Sequence, residues 1–371
     1  MKNIPLSLIN ELIPSWLDNK TADSSIVLSS RVRYARNLSG YPFPNRASQS
    51  ELQQVFEMIN QAIHDQKNLR SILSESAPVS IDKLTELQAE FLLERHLISP
   101  DFVQKSASRK NLKSTKEVRV RGVFINVGET ISVMINEEDH LRMQVIMPGF
   151  NFKQGFEQLN QLDNNLESML CYAYSPRYGY LTACPSNIGT GLRASVLIHL
   201  PALVLTREIE KVLRAVWQIH FMVRGLYGEG TETKGYFFQV SNTLSLGQSE
   251  DEIIEGIEKI TQELIAYEEK SRDYLLTNMK SEIEDKIFRA YALLNSARLL
   301  TSEEALNLLA TVRLGVATQI IRETSLNTLN KIMILLRPAN LQIFYNQKMT
   351  PGERDEKRAS LIRQILSEQK N

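Results

Sequence analysis

The sequence contains little cysteine, no long hydrophobic run and no excess of charge of either sign. Its two cysteines, Cys171 and Cys184, are too few to build the disulfide framework of a small secreted protein. Its most apolar stretch, from Leu197 to Leu205, is far shorter than the roughly 20 residues of a membrane-spanning helix. The N-terminus also lacks the apolar core of a signal peptide. These absences predict a soluble protein of the reducing cytoplasm, with no membrane partner.

Charge is balanced over the whole chain, with 43 basic side chains, 43 acidic ones and a formal net charge of +0. No global field therefore draws the protein to nucleic acid, which we do not expect as a partner. Positive charge is concentrated in one segment, where seven basic residues stand against the single acid Glu117 between Lys105 and Arg121. We interpret this segment as a solvated loop; docking of acidic client proteins, or contact with nucleic acid, is the alternative.

The common signatures of nucleotide, zinc and hydrolase sites are missing. No Gly-x-x-x-x-Gly-Lys loop occurs, and Gly228-Glu229-Gly230 lacks the third glycine of a dinucleotide fingerprint. The histidines and cysteines form no close His-x-x-His or Cys-x-x-Cys pair, so we predict no metal site built by the protein itself. No order of Ser, His and Asp indicates a hydrolase triad. The widespread nucleotide-binding folds and zinc chemistry therefore lose support.

Glycine is unevenly distributed and divides the chain. Twelve of the 16 glycines fall between Gly122 and Gly247, whereas the region beyond is charged, rich in leucine and helical in pattern. Glycine collects where the backbone turns sharply or approaches a ligand closely, so we expect loops that carry chemistry in the middle third. We predict an N-terminal segment over residues 1–25, an α+β catalytic domain over 26–271 and an all-α C-terminal domain over 272–371.

Hydrophobic periodicity predicts that the catalytic domain is an antiparallel sheet flanked by helices. Strands are predicted over residues 25–29, 118–126, 131–136, 141–147, 178–183, 192–200, 221–227 and 235–240. Helices are predicted around residues 84–92, over 154–174 and over 207–219. Ser249 and Glu252, like Thr301 and Glu304, have the spacing at which two side chains satisfy unpaired helical amides, so a helix should begin at each.

Five arginines stand beside strand or turn signals, namely Arg31, Arg33, Arg142, Arg193 and Arg224. A guanidinium is permanently charged, planar and forked, so several converging arginines can grip a polyphosphate with paired hydrogen bonds. Arg31 and Arg33 are two residues apart, and on a strand they would point to the same face. Any one of them taken alone is more simply a solvated surface arginine.

Two acidic stretches and one cysteine lie near the same signals. Asn136-Glu137-Glu138-Asp139-His140 follows a predicted strand, and Glu229 lies between two glycines. Their carboxylates suit binding of a cation or a guanidinium, although a charged turn needs no function. Cys184 is either a small buried hydrophobe or a thiol whose pKa is lowered by nearby positive charge, and its spacing does not choose between the two.

Taken together, four motifs resemble the ordered motifs of the ATP:guanido phosphotransferases, the phosphagen kinases. They are Ser29-Ser30-Arg31-Val32-Arg33, Asn136-Glu137-Glu138-Asp139-His140-Leu141-Arg142, the run from Cys184 to Ser195, and Arg224-Gly225-Leu226-Tyr227-Gly228-Glu229. Within the family, the chain most resembles the bacterial protein arginine kinases. The first motif arrives at residue 29, which leaves no room for the N-terminal domain of the kinases that act on small guanidines. The tail also matches the Arg-Asp-x-x-Arg-Ala motif of the bacterial group.

The resemblance implies roles for residues in each motif. The implied nucleotide-binding residues are Ser29, Ser30, Arg31, Val32, Arg33, His96, Arg142, Arg193, Ala194, Ser195, Val196, Leu197, Arg224, Gly225, Leu226, Tyr227, Gly228 and Glu229, with the arginines on the phosphates. Glu138 and Glu229 correspond to two carboxylates that bracket the substrate guanidinium, and Cys184 to a cysteine that assists its placement. The cofactor Mg²⁺ is expected to be carried by the nucleotide rather than by protein ligands.

The tail motif is implied to bind phosphoarginine through Arg354, Asp355, Arg358 and Ala359. Arg354 and Arg358 are four apart and share a helix face if a helix follows Pro351. Either arginine can hold a phosphate while Asp355 pairs a guanidinium. Without the resemblance, this stretch is an ordinary charged helix start.

The resemblance implies transfer of the γ-phosphoryl group of ATP to arginine side chains of proteins, which marks those proteins for Clp-type proteolysis in protein quality control and the stress response. It also implies a zinc-binding activator, the Clp protease machinery and a homodimer or larger homo-oligomer as partners. One alternative is a kinase of a free guanidine such as arginine. Another is a catalytically silent adaptor that binds phosphoarginine, against which the intact Glu138, Glu229 and arginines speak.

Overall fold

The computed structural model describes residues 13–18, 25–73, 78–103, 120–225 and 234–368. Their centre is an eight-stranded sheet in the order β2-β3-β4-β5-β1-β8-β10-β9, in which every neighbouring pair is antiparallel. The strands are β1 (Val27–Arg36), β2 (Val79–Ser80), β3 (Gly122–Ile125), β4 (Ile131–Ile135), β5 (Leu141–Pro148), β8 (Leu192–His199), β9 (Phe221–Gly225) and β10 (Phe237–Asn242). Strands β6 (Tyr174–Ser175) and β7 (Gly179–Tyr180) form a separate small hairpin.

Helices precede, flank and follow the sheet. In the catalytic region they are α1 (Gln49–Asp65), α2 (Lys67–Ile72), α3 (Glu86–Glu94), α4 (Pro100–Val103), α5 (Phe152–Glu167), α6 (Pro201–Leu205) and α7 (Ile209–Gln218). The C-terminal region contains α8 (Glu250–Asn278), α9 (Lys280–Ser296), α10 (Ser302–Ala317), α11 (Leu326–Leu335), α12 (Pro338–Phe344) and α13 (Pro351–Glu368). The predicted fold class, an antiparallel sheet flanked by helices and followed by a helical region, is confirmed.

The strand period gives the sheet two different faces. Val32, Tyr34, Val145 and Val196 point to one face, where they join a buried apolar core with side chains of α5 and α8. The residues between them point to the opposite face, because successive side chains of a strand alternate. On that face Arg31 and Arg33 of β1 line a cleft that is also lined by Arg337 of the C-terminal region.

A second apolar cluster joins the C-terminal helices to the polar face. Ile146 of β5 and Leu197 of β8 pack with Met333 and Ile334 of α11 and with Trp16. The C-terminal helices have a further core of their own, with Leu309, Ile332 and Ile362 among its members. The helical region therefore covers part of the sheet as well as packing on itself.

Helix starts agree with their sequence signals. Helix α8 begins after Ser249, whose hydroxyl accepts from the Glu252 amide at 3.2 Å, while Glu252 accepts from the Ser249 amide at 2.8 Å. Helix α10 begins after Thr301. The same box, formed by Ser48 and Glu51, begins α1, a helix that the periodicity did not predict.

Two predicted elements were too long. The helix predicted over 154–174 ends at Glu167, because Tyr172 forms a bridge with Leu38 and the Ala173 amide donates to the Asn37 carbonyl. The strand predicted over 178–183 is reduced to Gly179–Tyr180. Across the described residues, no helix is long and apolar enough to span a membrane.

Candidate active site

The register of β1 with its two neighbours brings the predicted arginines to one face. Arg33 lies opposite Arg193 of β8 and Gln144 of β5, and Arg31 lies opposite Ser195. Residues directly opposite in an antiparallel pair share a face. Arg31 Nε donates to Ser195 Oγ at 3.4 Å. Three guanidinium groups thus share the centre of the sheet surface.

Two further arginines lie on the same face. Arg142 of β5 is opposite Ala35, one pleat beyond Arg33. Arg224 of β9 is opposite Gln239 of β10, which in turn is opposite Leu197. The five arginines named from the sequence therefore come from β1, β5, β8 and β9 and face the same side.

The electrostatics of this face favour an anion. Burial, together with Arg142 and Arg193, lowers the pKa of Arg31 from its ordinary value to about 10. Burial and the neighbouring arginines also lower the pKa of Arg33, and burial, Arg142 and Arg224 lower that of Arg193. Arg33 Nε is buried and has no hydrogen-bond partner within the described residues. These observations fit a polyphosphate. Its negative charge offsets the repulsion among the arginines, and its oxygens can accept hydrogen bonds from donors such as Arg33 Nε.

Arg142 differs from the others because it has a carboxylate partner. Its Nη1 lies 2.6 Å from Oε2 of the buried Glu137, which also accepts a hydrogen bond from the Ser99 hydroxyl. Burial alone would lower the pKa of Arg142, but Glu137 raises it above its ordinary value. Glu137 fixes the direction of this arginine, a role that the sequence motif did not distinguish from that of Glu138.

The acidic loop between β4 and β5 is held by buried hydrogen bonds. Asn136 adopts a φ of 59°, which turns the chain at the end of β4. The buried Asp139 accepts from Asn37 Nδ2 at 2.6 Å and from the Ala183 amide at 2.7 Å. Glu138 is exposed, and partial desolvation with the adjacent Asp139 raises its pKa above 4.5. Asp139 therefore anchors the loop that carries Glu138 and also links it to the cysteine loop.

The loop that carries Cys184 leads directly into the arginine of β8. Cys184 is half-buried, and its Sγ lies 3.1 Å from Ser186 Oγ. Arg193 Nη2 donates to the same hydroxyl at 3.2 Å and to Asn187 Oδ1 at 3.4 Å. The thiol is thus neither deeply buried nor remote from positive charge. Gly189, with a φ of 112°, allows the turn, since a Cβ there would lie 2.4 Å from the Ser245 carbonyl oxygen.

A cleft of about 610 Å³ opens over the arginines and is lined by Arg31, Arg33, Arg142, His96, Gln144 and Arg337 among others. His96 has a φ of 59°, and its carbonyl accepts from Gln144 Nε2 at 2.6 Å. Its ring centroid is 6.1 Å from that of Trp16. Burial and the charges of Arg31 and Arg337 lower the pKa of His96 to about 3. A larger groove of about 820 Å³ between α7 and α8 lies apart from the arginines.

Other predicted nucleotide-binding residues are placed differently. Ser29, Ser195 and Leu197 lie on the arginine face. Val32, Ala194 and Val196 point into the opposite core, and Ser30 Oγ donates to the Gly149 carbonyl. Gly225 ends β9. Leu226, Tyr227, Gly228 and Glu229 lie outside the described residues, as does most of the basic segment.

Arg121 corrects the interpretation of that segment at its C-terminal end. Its side chain is buried and donates to the carbonyls of Asn136, Asp101 and Phe102. Arg121 is therefore a structural residue that braces the start of the acidic loop and not part of a solvated loop. Residues 104–119 are outside the described ranges.

The tail motif lies on the first turns of α13, as the predicted helix after Pro351 requires. Arg358 is buried and donates to the carbonyls of Leu336 and Leu300 and to Asp355 Oδ1, at 2.8, 2.7 and 2.6 Å. Arg354 is half-buried and donates to the Met349 carbonyl at 3.1 Å. Ala359 is fully buried. Of the two arginines, Arg354 is thus the more accessible.

Metal ligands are the remaining element of the prediction. Within the ranges that the structure covers, no group of three or more His, Cys, Asp or Glu side chains is arranged to hold a metal ion. The expectation that Mg²⁺ is carried by the nucleotide stays a prediction. The carboxylates of Glu137 and Asp139 are instead engaged by arginine, asparagine, serine or backbone donors.

Comparison with known proteins agrees with the fold and the motifs. The family described as ATP:guanido phosphotransferase, C-terminal catalytic domain, matches residues 54–271, and the protein-arginine kinase McsB C-terminal domain matches residues 280–371. The crystal structure of lombricine kinase is similar with a TM-score of 0.55 and 29% identity, over 70% of each chain. The duplicated taurocyamine kinase of Schistosoma mansoni is similar with a TM-score of 0.56 and 25% identity, over 71% of this chain and 36% of that one. The chain therefore belongs to the ATP:guanido phosphotransferase family.

More similar relatives cover almost the whole sequence. A protein-arginine kinase of Halothermothrix orenii is 41% identical over 97% of this chain and 98% of its own length. A protein-arginine kinase of Bacillus cereus strain G9842 is 40% identical over 98% of this chain and 99% of its own. The chain is thus an enzyme of guanidino phosphoryl transfer, and its full-length relatives bear the name protein-arginine kinase.

Proposed function

We propose that this protein transfers the γ-phosphoryl group of Mg-ATP to the guanidino group of arginine side chains in proteins. The observation that carries the proposal is the shared face of Arg31, Arg33, Arg142 and Arg193, with the Glu138 loop and the Cys184 loop hydrogen-bonded to each other beside it. Phosphoryl transfer asks little covalent chemistry of a protein beyond alignment and charge stabilisation. A basic surface with a carboxylate at its edge supports both requirements.

The arginines are proposed to hold the phosphates of the nucleotide. Burial and mutual repulsion lower the pKa of Arg31 and Arg33, so an anion between them is stabilised by charges that the fold already holds in place. Arg142, aimed by Glu137, and Arg193, aimed by Ser186, offer forked donors on either side. Mg²⁺ bound to the nucleotide supplies further neutralisation of the phosphate oxygens.

Glu138 is proposed to receive the acceptor guanidinium together with Glu229. A guanidinium is a poor nucleophile, because its pKa lies above about 12. A nitrogen of the acceptor attacks the γ-phosphorus, the bond to the ADP oxygen breaks, and the carboxylate takes the proton that the nitrogen loses. The raised pKa of Glu138 suits proton acceptance. Alignment of this kind can supply on the order of 7–11 kcal/mol of the barrier.

The choice of a protein acceptor is supported by the full-length relatives and by the C-terminal match, which together cover both regions of the chain. A free guanidine is the second enzymatic candidate, since lombricine kinase and taurocyamine kinase share the fold. A silent phosphoarginine-binding adaptor is opposed by the arginine face, which such a protein does not need.

The test is incubation with Mg-ATP and an arginine-containing protein, alone and with an excess of free arginine. Mass spectrometry at neutral or basic pH should find phosphate on arginine residues, because the P–N bond is labile in acid. Glu138→Gln should abolish most of the product, and Glu157→Gln, a change at an exposed glutamate of α5, should not. Phosphate on free arginine alone would favour the second enzymatic candidate, and no product of either kind would favour the adaptor.

The finer biological role is proposed from the same likeness. We infer a cytoplasmic enzyme of protein quality control whose product is recognised by Clp-type proteases, assisted by a zinc-binding activator and assembled as a homo-oligomer. Purified Clp protease should degrade the phosphorylated client faster than the untreated one. Equal degradation rates would remove the proteolytic role and leave the kinase activity in place.

The tail motif is proposed to bind phosphoarginine and so to feed back on activity or assembly. Arg354 is the accessible arginine for the phosphate, and Asp355 already faces a guanidinium, that of Arg358. Asp355→Ala should weaken phosphoarginine binding in calorimetry and change kinase activity or oligomer size. If all three quantities stay as in the unchanged protein, this role is wrong.

A further inference from the structure

One arginine of the C-terminal region lines the cleft of the catalytic sheet. Arg337 precedes helix α12 and shares the cleft of about 610 Å³ with Arg31, Arg33 and Arg142. None of the sequence motifs contains Arg337. The cleft is therefore completed by a region that lies outside the matched catalytic domain, which ends at residue 271.

The segment that carries Arg337 is docked firmly on the catalytic region. Glu94 of α3 accepts from the amides of Ala339 and Asn340 at 3.0 and 2.9 Å, and from Asn340 Nδ2 at 2.8 Å. Arg95 Nε donates to Asn340 Oδ1 at 2.9 Å. Ala339 is fully buried in the apolar cluster of α3 and the sheet edge. Arg337 is thus held in place beside the cleft from the catalytic side.

A second restraint comes from the tail helix. Arg358 Nε donates to the carbonyl of Leu336, the residue directly before Arg337. Leu336 is itself buried in the core of the C-terminal helices. The backbone on both sides of Arg337 is therefore fixed, and a ligand in the cleft meets a guanidinium whose stem is already oriented.

Charge around the cleft indicates what Arg337 can bind. Burial, Arg31 and Arg337 lower the pKa of His96, and His96 lines the same cleft, so the positive charge of Arg337 lies near the ring of His96. Glu94, which also lines the cleft, accepts hydrogen bonds from the amides of Ala339 and Asn340. Glu90 also lines the cleft, and burial together with Glu94 and Glu86 raises its pKa against the opposing charge of Arg354. The cleft thus combines four arginines with three acids, Glu90, Glu94 and Asp101, of which Glu94 is bonded to the amides of α12. The four arginines form a positive surface that suits a polyanion.

We propose that Arg337 is a nucleotide-binding residue that contacts the polyphosphate of ATP from the C-terminal region. The inference rests on the proposed function in that the ligand is the ATP consumed by the transfer. Arg337 acts here on binding and alignment of the donor, and it takes no proton. The C-terminal region then contributes directly to the catalytic cleft.

The experiment measures nucleotide affinity without turnover. Arg337→Ala should weaken binding of Mg-ATP, followed by a fluorescent ATP analogue or by calorimetry, by roughly tenfold or more, the range expected for loss of a charge-assisted hydrogen bond. Arg337→Lys keeps the charge but not the forked guanidinium, so its affinity for Mg-ATP should lie between that of Arg337→Ala and that of the unchanged protein. Arg298→Ala, at an exposed arginine of the same region, should bind as the unchanged protein does.

A ligand series locates the contact. The weakening should be large for ATP and ADP and absent for adenosine, because adenosine lacks the phosphates. An equal effect on adenosine, or ATP affinity within twofold of the unchanged protein while far-ultraviolet circular dichroism shows an intact fold, overturns the proposal. Since binding is measured apart from transfer, loss of ATP affinity in a chain that phosphorylates no protein would sustain Arg337 and sink the proposed function instead.

Discussion

Replacing Arg358 with alanine is expected to destabilise the C-terminal region, independently of any ligand. The motif assigns this arginine to phosphoarginine binding, yet its side chain is about 1% exposed and bonded to the carbonyls of Leu336 and Leu300 and to Asp355. A residue that binds a ligand can be truncated with little effect on folding. A residue that satisfies buried carbonyls cannot.

The magnitude follows from the groups left behind. Each buried carbonyl that loses its donor costs about 1–3 kcal/mol. The apolar stem of the arginine leaves a void as well, and Asp355 loses its partner. The free energy of unfolding should therefore fall by about 3–6 kcal/mol. This is a large share of the roughly 5–15 kcal/mol that is typical of a folded protein.

Urea unfolding followed by far-ultraviolet circular dichroism measures the change. Arg354→Ala removes one hydrogen bond, to Met349, and should cost about 1 kcal/mol or less. Glu356→Ala, at an exposed position of the same helix, should leave stability unchanged. If Arg358→Ala unfolds within about 1 kcal/mol of the unchanged protein, the structural role is wrong and the arginine is free to serve a ligand.

Three further predictions concern the catalytic region. Glu138→Gln should keep the fold and lower kcat by roughly 10²–10⁴-fold in a transfer assay, because an amide accepts no proton. Gly189→Ala should lower the melting temperature, since its φ is 112° and the new Cβ would lie 2.4 Å from the Ser245 oxygen. Burial lowers the pKa of His199 well below 6.5. Below pH 6.5 the imidazole is therefore protonated in the unfolded chain but stays neutral in the folded chain. As the pH falls below 6.5, protonation of His199 in the unfolded chain should lower the free energy of unfolding by up to ~1.4 kcal/mol per pH unit. His199→Leu should remove this part of the pH dependence.

Matched variants make these outcomes decisive. Gly247→Ala also has a positive φ, 82°, but nothing lies within 4 Å of its new Cβ, so a loss equal to that of Gly189→Ala would contradict the steric argument. For the acid dependence the control is His220→Gln, at an exposed site. An unchanged pH profile in His199→Leu would show that other groups govern acid stability. Full transfer activity in Glu138→Gln would show that Glu138 is not a catalytic residue.

Local signals in the sequence were sufficient for much of the fold. The boxes at Ser249 and Thr301 mark real helix starts, and the strands of the β3 to β5 meander follow from apolar runs. Strand β1 was predicted only to Ser29 but continues to Arg36. Its charged residues interrupt the hydrophobic pattern because they face the cleft and not the core. Ser48 and Glu51 have the same spacing at the start of α1, but we did not predict that helix from the sequence.

The part of the candidate site that lies within sequence motifs could be predicted, and the part that depends on contacts between distant segments could not. The arginines lie within recognisable runs, and the register of β1 then aligns them. Other parts of the site depend on partners that are distant in sequence. Asp139 accepts from Asn37 and Ala183, Gln144 donates to His96, and Arg337 is positioned by the contact between Glu94 and Asn340. No periodicity reports such a contact, because it depends on how helices dock. Glu137 was within reach of the motif, but only burial separates it from Glu138.

The predicted division at residue 272 has a physical consequence, because it falls inside α8. Arg272 pairs with Glu268 at 2.9 Å, and Glu268 also accepts from the amides of Ala202 and Leu203 at 3.1 and 3.0 Å. A chain ended before Arg272 would keep a buried carboxylate without its cation, which is strongly destabilising. It would also expose Ile146 and Leu197, whose cover comes from α11. The helical region is thus needed for the stability of the arginine face as well as for the cleft above it.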